Sequence, residues 1–131
     1  MKDLGLLVFR ILLVAVFPIS AYYKIIQWPA IATVLEKAGA PYATYVAGLG
    51  TGVEMLFPFL IIIGLWTRPA AAGLILYTLI ATYIGHPIWK VAPEAFFGQL
   101  MSFMKNLGII GALIGLMAVG PGRLALKPDR D

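Results

Sequence analysis

A chain of 131 residues is long enough for one domain. Its residues are 61% hydrophobic and only 12% charged, with a mean hydropathy of +0.92, against about 45–50% apolar and about 25% charged in a soluble domain. Too little polar surface remains to disperse such a chain in water, so it reads as a membrane protein. The net charge of +4 comes from basic residues scattered singly between apolar runs, which argues against nucleic acid as a partner, and the absence of Cys excludes disulfides, thiol chemistry, Fe–S clusters and Cys-ligated zinc.

The first apolar segment runs from Leu4 to about Tyr23. Arg10 interrupts it and no A-x-A-like site follows, so it is read as a retained helix and not a cleaved signal. The link from Lys24 to Pro41 is long, and Ile31 to Ala38 within it has the pattern of a short amphipathic helix lying at the interface. A second segment spans about Tyr42 to Leu65, and Trp66-Thr67-Arg68-Pro69 links it tightly to a third, Pro69 to about Gly85. Ala92-Pro93-Glu94 starts the fourth, apolar from about Phe96 to Val119 and stopped by Gly120-Pro121-Gly122. All four approach the ~20 residues that cross a ~30 Å hydrocarbon core. Backbone polar groups in lipid must pair internally, so these segments are helices, and the alternation of a β-barrel is lacking. The expectation is an all-α, integral membrane four-helix bundle over residues 1–123, with residues 124–131 as a polar tail that frays.

An even number of spans puts both termini on one side. Lys2, Arg68, Arg123, Lys127 and Arg130 fall there, against Lys24, Lys37, Lys90 and Lys105 opposite. That excess predicts cytoplasmic termini. Aromatic residues, among them Tyr22, Tyr23, Trp28, Tyr42 and Trp89, gather toward the opposite face, as an interfacial belt or as the mouth of a pocket.

Counting 1.5 Å per residue from the termini side places Glu54 about 16 Å deep, near mid-membrane, with Arg10 at about 9 Å, Lys105 and Asn106 at about 20 Å, His86 at about 25 Å and Lys24 at about 30 Å. A charge at that depth faces the bundle interior or a wet cavity. Glu54 is therefore expected to pair with Lys105 or with Arg10, Lys105 being nearer in height. Glu54, His86, Lys105, Asn106 and Lys24 are the candidate ligand or proton pocket, opening on the face opposite the termini. Lys105, Asn106 and His86 would hold a head group and Glu54 would form the floor, while Arg10 is a structural charge. Pro58 frees the Glu54 carbonyl. The same residues could equally form a buried polar network with no ligand, and the accompanying glycines could serve close helix packing alone. His86 is the sole histidine, so two-histidine haem ligation within the chain is ruled out and no metal site is assigned. No GxGxxG sits before a helix in a βαβ unit, so a bound dinucleotide is not expected.

Several motifs recur together: Arg10 in the first helix, Tyr23-Lys24 at its end, Glu54 in the second, the Gly64-Leu65-Trp66-Thr67-Arg68 turn, His86 closing the third, Lys105-Asn106-Leu107 in the fourth, and Gly120-Pro121-Gly122. In this order, from about Leu4 to Arg123, the chain resembles the DoxX family of small bacterial four-helix membrane proteins. The resemblance implies a four-helix bundle in the cytoplasmic (inner) membrane and a link to redox systems, including quinone-reducing oxidation of thiosulfate. The function it implies is the membrane subunit of a redox complex, with quinone as the ligand and a soluble or membrane redox partner as electron donor, surrounded by lipids. A carrier for a small molecule or proton and a purely structural anchor are the alternatives. The oligomeric state is left open.

Overall fold

Where no water can hydrogen-bond the backbone, a single segment satisfies its own N–H and C=O groups only as a helix. The computed structural model, which describes residues 1–127, consists of helices and turns: α1 (Lys2–Val14), α2 (Val16–Ile26), α3 (Trp28–Lys37), α4 (Ala43–Ile63), α5 (Thr67–Gly85) and α6 (Pro93–Val119). No strand occurs among the described residues. Helices α1 and α2 form one rod. Ala15 between them keeps helical angles (φ −57, ψ −31). Pro18 has no N–H for the Val14 carbonyl, which leaves a gap in the hydrogen-bond ladder there.

Three stretches are long and apolar enough to cross a membrane: Lys2–Ile26, Ala43–Ile63 and Pro93–Val119. The sequence predicts four such spans, and α5 is the one that falls outside this set. Its composition explains why. It opens on Thr67, Arg68 and Pro69 and carries Thr78 and Thr82, all three threonines being buried against its neighbours. It makes its main contacts with α6 on one side and α4 on the other. The amphipathic stretch expected at 31–38 is α3, which starts earlier, with Pro29 in its first turn. None of its residues is buried, and it rests on α4 beside the end of α2.

The core joins Val14, Phe17, Ile61, Ala71, Leu74 and Leu113. Leu12, Leu49 and Leu76 point outward, each more than half exposed, the arrangement of a protein whose solvent is acyl chain.

Arg10 organises one end of the bundle. It is completely buried, and its guanidinium donates to the carbonyls of Ile61 (3.2 Å) and Leu124. The first of these lies in the last turn of α4, where carbonyls lack helical partners and the helix dipole favours a cation. Gly64 caps that helix at φ +73, with Leu65 donating back to Leu60 at 2.9 Å. A Cβ on Gly64 would collide with Ala125 and with the Arg10 guanidinium.

Residues 123–127 are docked on the bundle where the sequence predicts fraying. Leu126 N–H donates to Ile63 (2.9 Å), Lys127 N–H to Gly64 (3.1 Å), and Arg123 N–H to the Asp3 carboxylate (3.1 Å). The end of α4 offers unpaired carbonyls, and the descending chain fills them. Residues 128–131, including Arg130 of the charge count, lie outside the described residues. The termini, Arg10 and the α4–α5 turn thus share one end of the bundle. The opposite end holds Lys24, α3 and His86.

Candidate functional site

The start of α3 packs on α4 at Gly48, where a Cβ would lie 3.7 Å from the Trp28 ring. Four residues before Trp28, in the last turn of α2, sits Lys24. Its ammonium reaches down between the helices to Glu54 Oε2 at 2.7 Å and to the Tyr77 hydroxyl at 2.6 Å. The Glu54 side chain is only 4% exposed, and that of Lys24 27%. A carboxylate in mid-helix thus has its counter-charge inside the bundle, the condition under which an ionised group survives there.

The sequence reading assigned this partnership to Lys105 or Arg10. Neither makes it. Arg10 binds carbonyls at the far end. Lys105 is exposed on the outer side of α6. Its neighbour Asn106 turns inward and donates to the Thr82 hydroxyl at 2.9 Å. At 100° per residue the two side chains cannot share that direction.

Tyr77, which the sequence reading overlooked, completes the cluster. Its ring is wedged beside Gly50, where an added Cβ would meet Cε2 at 3.2 Å, and packs edge-on against Phe17 at 6.4 Å and 66°. The Lys24 ammonium lies 5.4 Å from the ring centroid. That distance is close to the hydroxyl's own offset plus the hydrogen bond, so the cation sits beyond the ring edge, not over its face. The hydrogen bond holds it, not the ring quadrupole. A lone phenol within Leu74-Ile75-Leu76-Tyr77-Thr78 was the signal available in the sequence.

Lys24, Glu54 and Tyr77 line a partly open cavity of about 550 Å³ between α2, α3, α4, α5 and α6. It extends from Gly73 and Glu54 at mid-bundle to Gly85 and His86. Phe17, Ile31, Leu35, Val53, Leu76 and Ile80 supply apolar walls. Thr51 and Thr78 also border it, but their hydroxyls donate to backbone carbonyls one turn back, Ala47 at 2.8 Å and Leu74 at 2.7 Å. They therefore add little free polarity. Asn106 and His86 lie on the lining, and Lys105 does not. His86 Nδ1 is 2.7 Å from Gln99 Oε1. With an amide oxygen as acceptor, Nδ1 carries the proton and Nε2 is left unprotonated in the neutral ring. Gln99 lies seven residues before Asn106 on the same face of α6, a spacing that the sequence reading did not use. Among the described residues no cluster of three or more His, Asp or Glu could hold a metal ion.

The arrangement has one further chemical property. An ammonium carries three N–H donors, and two are committed to Glu54 and Tyr77. The third remains for a group entering the cavity. A largely apolar chamber with a convergent donor fits a lipophilic molecule that bears a hydrogen-bond acceptor.

The known proteins most relevant to this geometry are membrane proteins. The chain is 33% identical to inner membrane protein YphA of Escherichia coli (strain K12) over 121 residues, 92% of this chain and 86% of that protein. It is 28% identical to inner membrane protein YqjF of the same organism over 130 residues, 96% of this chain and 92% of that one. It is also 32% identical to the uncharacterized membrane protein Rv3486 of Mycobacterium tuberculosis (strain ATCC 25618 / H37Rv) over 96 residues, 70% of this chain and 59% of that one. No solved structure matches it. The DoxX family profile matches residues 5–87, which take in Arg10, Lys24, Glu54, Tyr77 and His86 and stop short of α6. That match covers more than half of the sequence, and this integral membrane protein belongs to the DoxX family.

Proposed function

We propose that this protein is the membrane subunit of a redox system and that its cavity takes a quinone-like molecule. The observation that carries the reading is the Lys24–Glu54–Tyr77 cluster at the floor of a largely apolar cavity of about 550 Å³. The third Lys24 N–H donates to a carbonyl of the ligand. Tyr77 holds the ammonium in place, and Glu54 balances its charge and can exchange a proton with it. The apolar walls from α3, α4 and α5 receive the tail. A bound quinone would supply two-electron, two-proton chemistry. Electrons come from a soluble or membrane partner, because the chain carries no cofactor motif of its own.

In this reading α5 is the fourth membrane span, its threonines shielded by α4 and α6. Both termini face the cytoplasm from the inner membrane, where Lys2, Arg68, Arg123 and Lys127 form the positive side. The cavity then opens toward the opposite face. Support for the inner membrane alone comes from the designation of the two Escherichia coli relatives.

The test is purification from native membrane, followed by organic extraction and quantification of quinones per protein chain. The reading expects a stoichiometric quinone in the wild type and its loss when Ala81→Trp fills the cavity. A wild-type preparation that carries only phospholipid, and takes up no added quinone, leaves Lys24 and Glu54 as a structural pair.

A further inference from the structure

The charge balance of the cluster sets what kind of head group the cavity accepts. We infer that the site selects an uncharged, carbonyl-bearing head group over an anionic one of equal tail length, and that Glu54 is the residue that determines this specificity. The inference rests on the proposed ligand-binding reading of the same cavity.

A lysine facing an apolar slot would ordinarily attract a carboxylate, as in a site for fatty acid anions. Here the position is already taken. Glu54 Oε2 is 2.7 Å from the ammonium, and the Glu54 side chain is almost wholly enclosed. An incoming carboxylate would place two anions around one cation at low dielectric, where like charges repel strongly and each loses its hydration. A neutral carbonyl accepts the remaining N–H without changing the net charge of the site. The cluster cannot easily swing aside to admit an anion, because Tyr77 is fixed from two directions by Phe17 and by the backbone at Gly50. Nor does another lysine or arginine compensate. Arg10 is committed at the opposite end, and Lys105 is outside the lining.

The probes are a decyl-substituted benzoquinone and dodecanoate, titrated against the protein in lipid nanodiscs with tryptophan fluorescence as readout. Wild type should bind the quinone at least about tenfold more tightly than the carboxylate, tenfold corresponding to about 1.4 kcal/mol. Glu54→Gln keeps the shape and the hydrogen-bonding edge but releases the Lys24 charge. It should raise the affinity for dodecanoate relative to that for the quinone by about tenfold. Lys105→Leu, at a residue outside the lining, should keep the wild-type preference.

Equal binding of the two probes by wild type overturns the inference and leaves the ligand-binding reading standing. So does a Glu54→Gln protein that folds and still rejects dodecanoate. Failure of wild type to bind either probe overturns both. Should Glu54→Gln not fold, the wild-type comparison decides alone.

Discussion

Lys24 and Glu54 come from helices that the chain visits 30 residues apart, and they meet at 2.7 Å inside the bundle. Removing one partner of a buried pair strands the other, at a cost of about 3–5 kcal/mol. A stranded carboxylate can recover part of that by taking up a proton. Lys24→Met should therefore lower the unfolding temperature in detergent, and the double variant Lys24→Met with Glu54→Leu should restore most of the loss while abolishing ligand binding. A double variant less stable than either single one contradicts the pairing.

Lys105 and Asn106 are adjacent in sequence and opposite in role. Lys105→Leu should leave stability within about 0.5 kcal/mol of wild type and ligand affinity unchanged. Asn106→Leu removes the bond to Thr82 and should cost about 1 kcal/mol. Equilibrium unfolding of the two variants in matched micelles separates them. The opposite ranking would return Lys105 to the interior.

Why the sequence pointed to Lys105 is instructive. Depths counted at 1.5 Å per residue assume that all helices start level. They do not. Arg10 Nη1 bonds the carbonyl of Ile61, so residue 10 of the first rod is level with residue 61 of α4. From that shared height Lys24 is 14 residues up and Glu54 only 7, a gap of about 10 Å along the axis, which tilt shortens and the lysine side chain spans. The all-helical character, the turn between α4 and α5 and the presence of α3 were legible because hydrophobic runs, Pro and Gly mark them locally. Glu54 was legible as a buried residue of the candidate site because a lone carboxylate in an apolar run needs a reason. Its partner depended on the relative level and rotation of two helices, which composition does not encode. The docking of residues 121–127 was illegible for a related reason. Polar terminal segments usually fray, and this one is held by carbonyls of a distant helix end.

Arg10 ties that segment down. Arg10→Met would free the carbonyls of Ile61 and Leu124 together, and trypsin should then cut after Arg123 much faster than in wild type. Arg10→Lys should behave nearly as badly, because an ammonium lacks the planar fork that spans both carbonyls. Wild-type cleavage rates in either variant would contradict the role given to the guanidinium.

Gly64 is constrained twice, by φ +73 and by the approach of Ala125 and Arg10. Gly64→Ala should destabilise by more than the about 1–2 kcal/mol of left-handed backbone strain, since it also displaces the C-terminal segment. Thermal unfolding measures the first effect and trypsin sensitivity after Arg123 the second. A variant as stable as wild type would show that the turn is not packed as described.

The central claim is that Lys24 presents a hydrogen-bond donor to a quinone-like ligand in the cavity. Difference infrared spectroscopy of the wild-type protein with a carbonyl-labelled benzoquinone reads that contact directly. The account predicts that one carbonyl stretch shifts to lower wavenumber relative to the quinone in hydrocarbon, and that the shift disappears in Lys24→Met. Bound quinone whose two carbonyl bands both match those in hydrocarbon would contradict it.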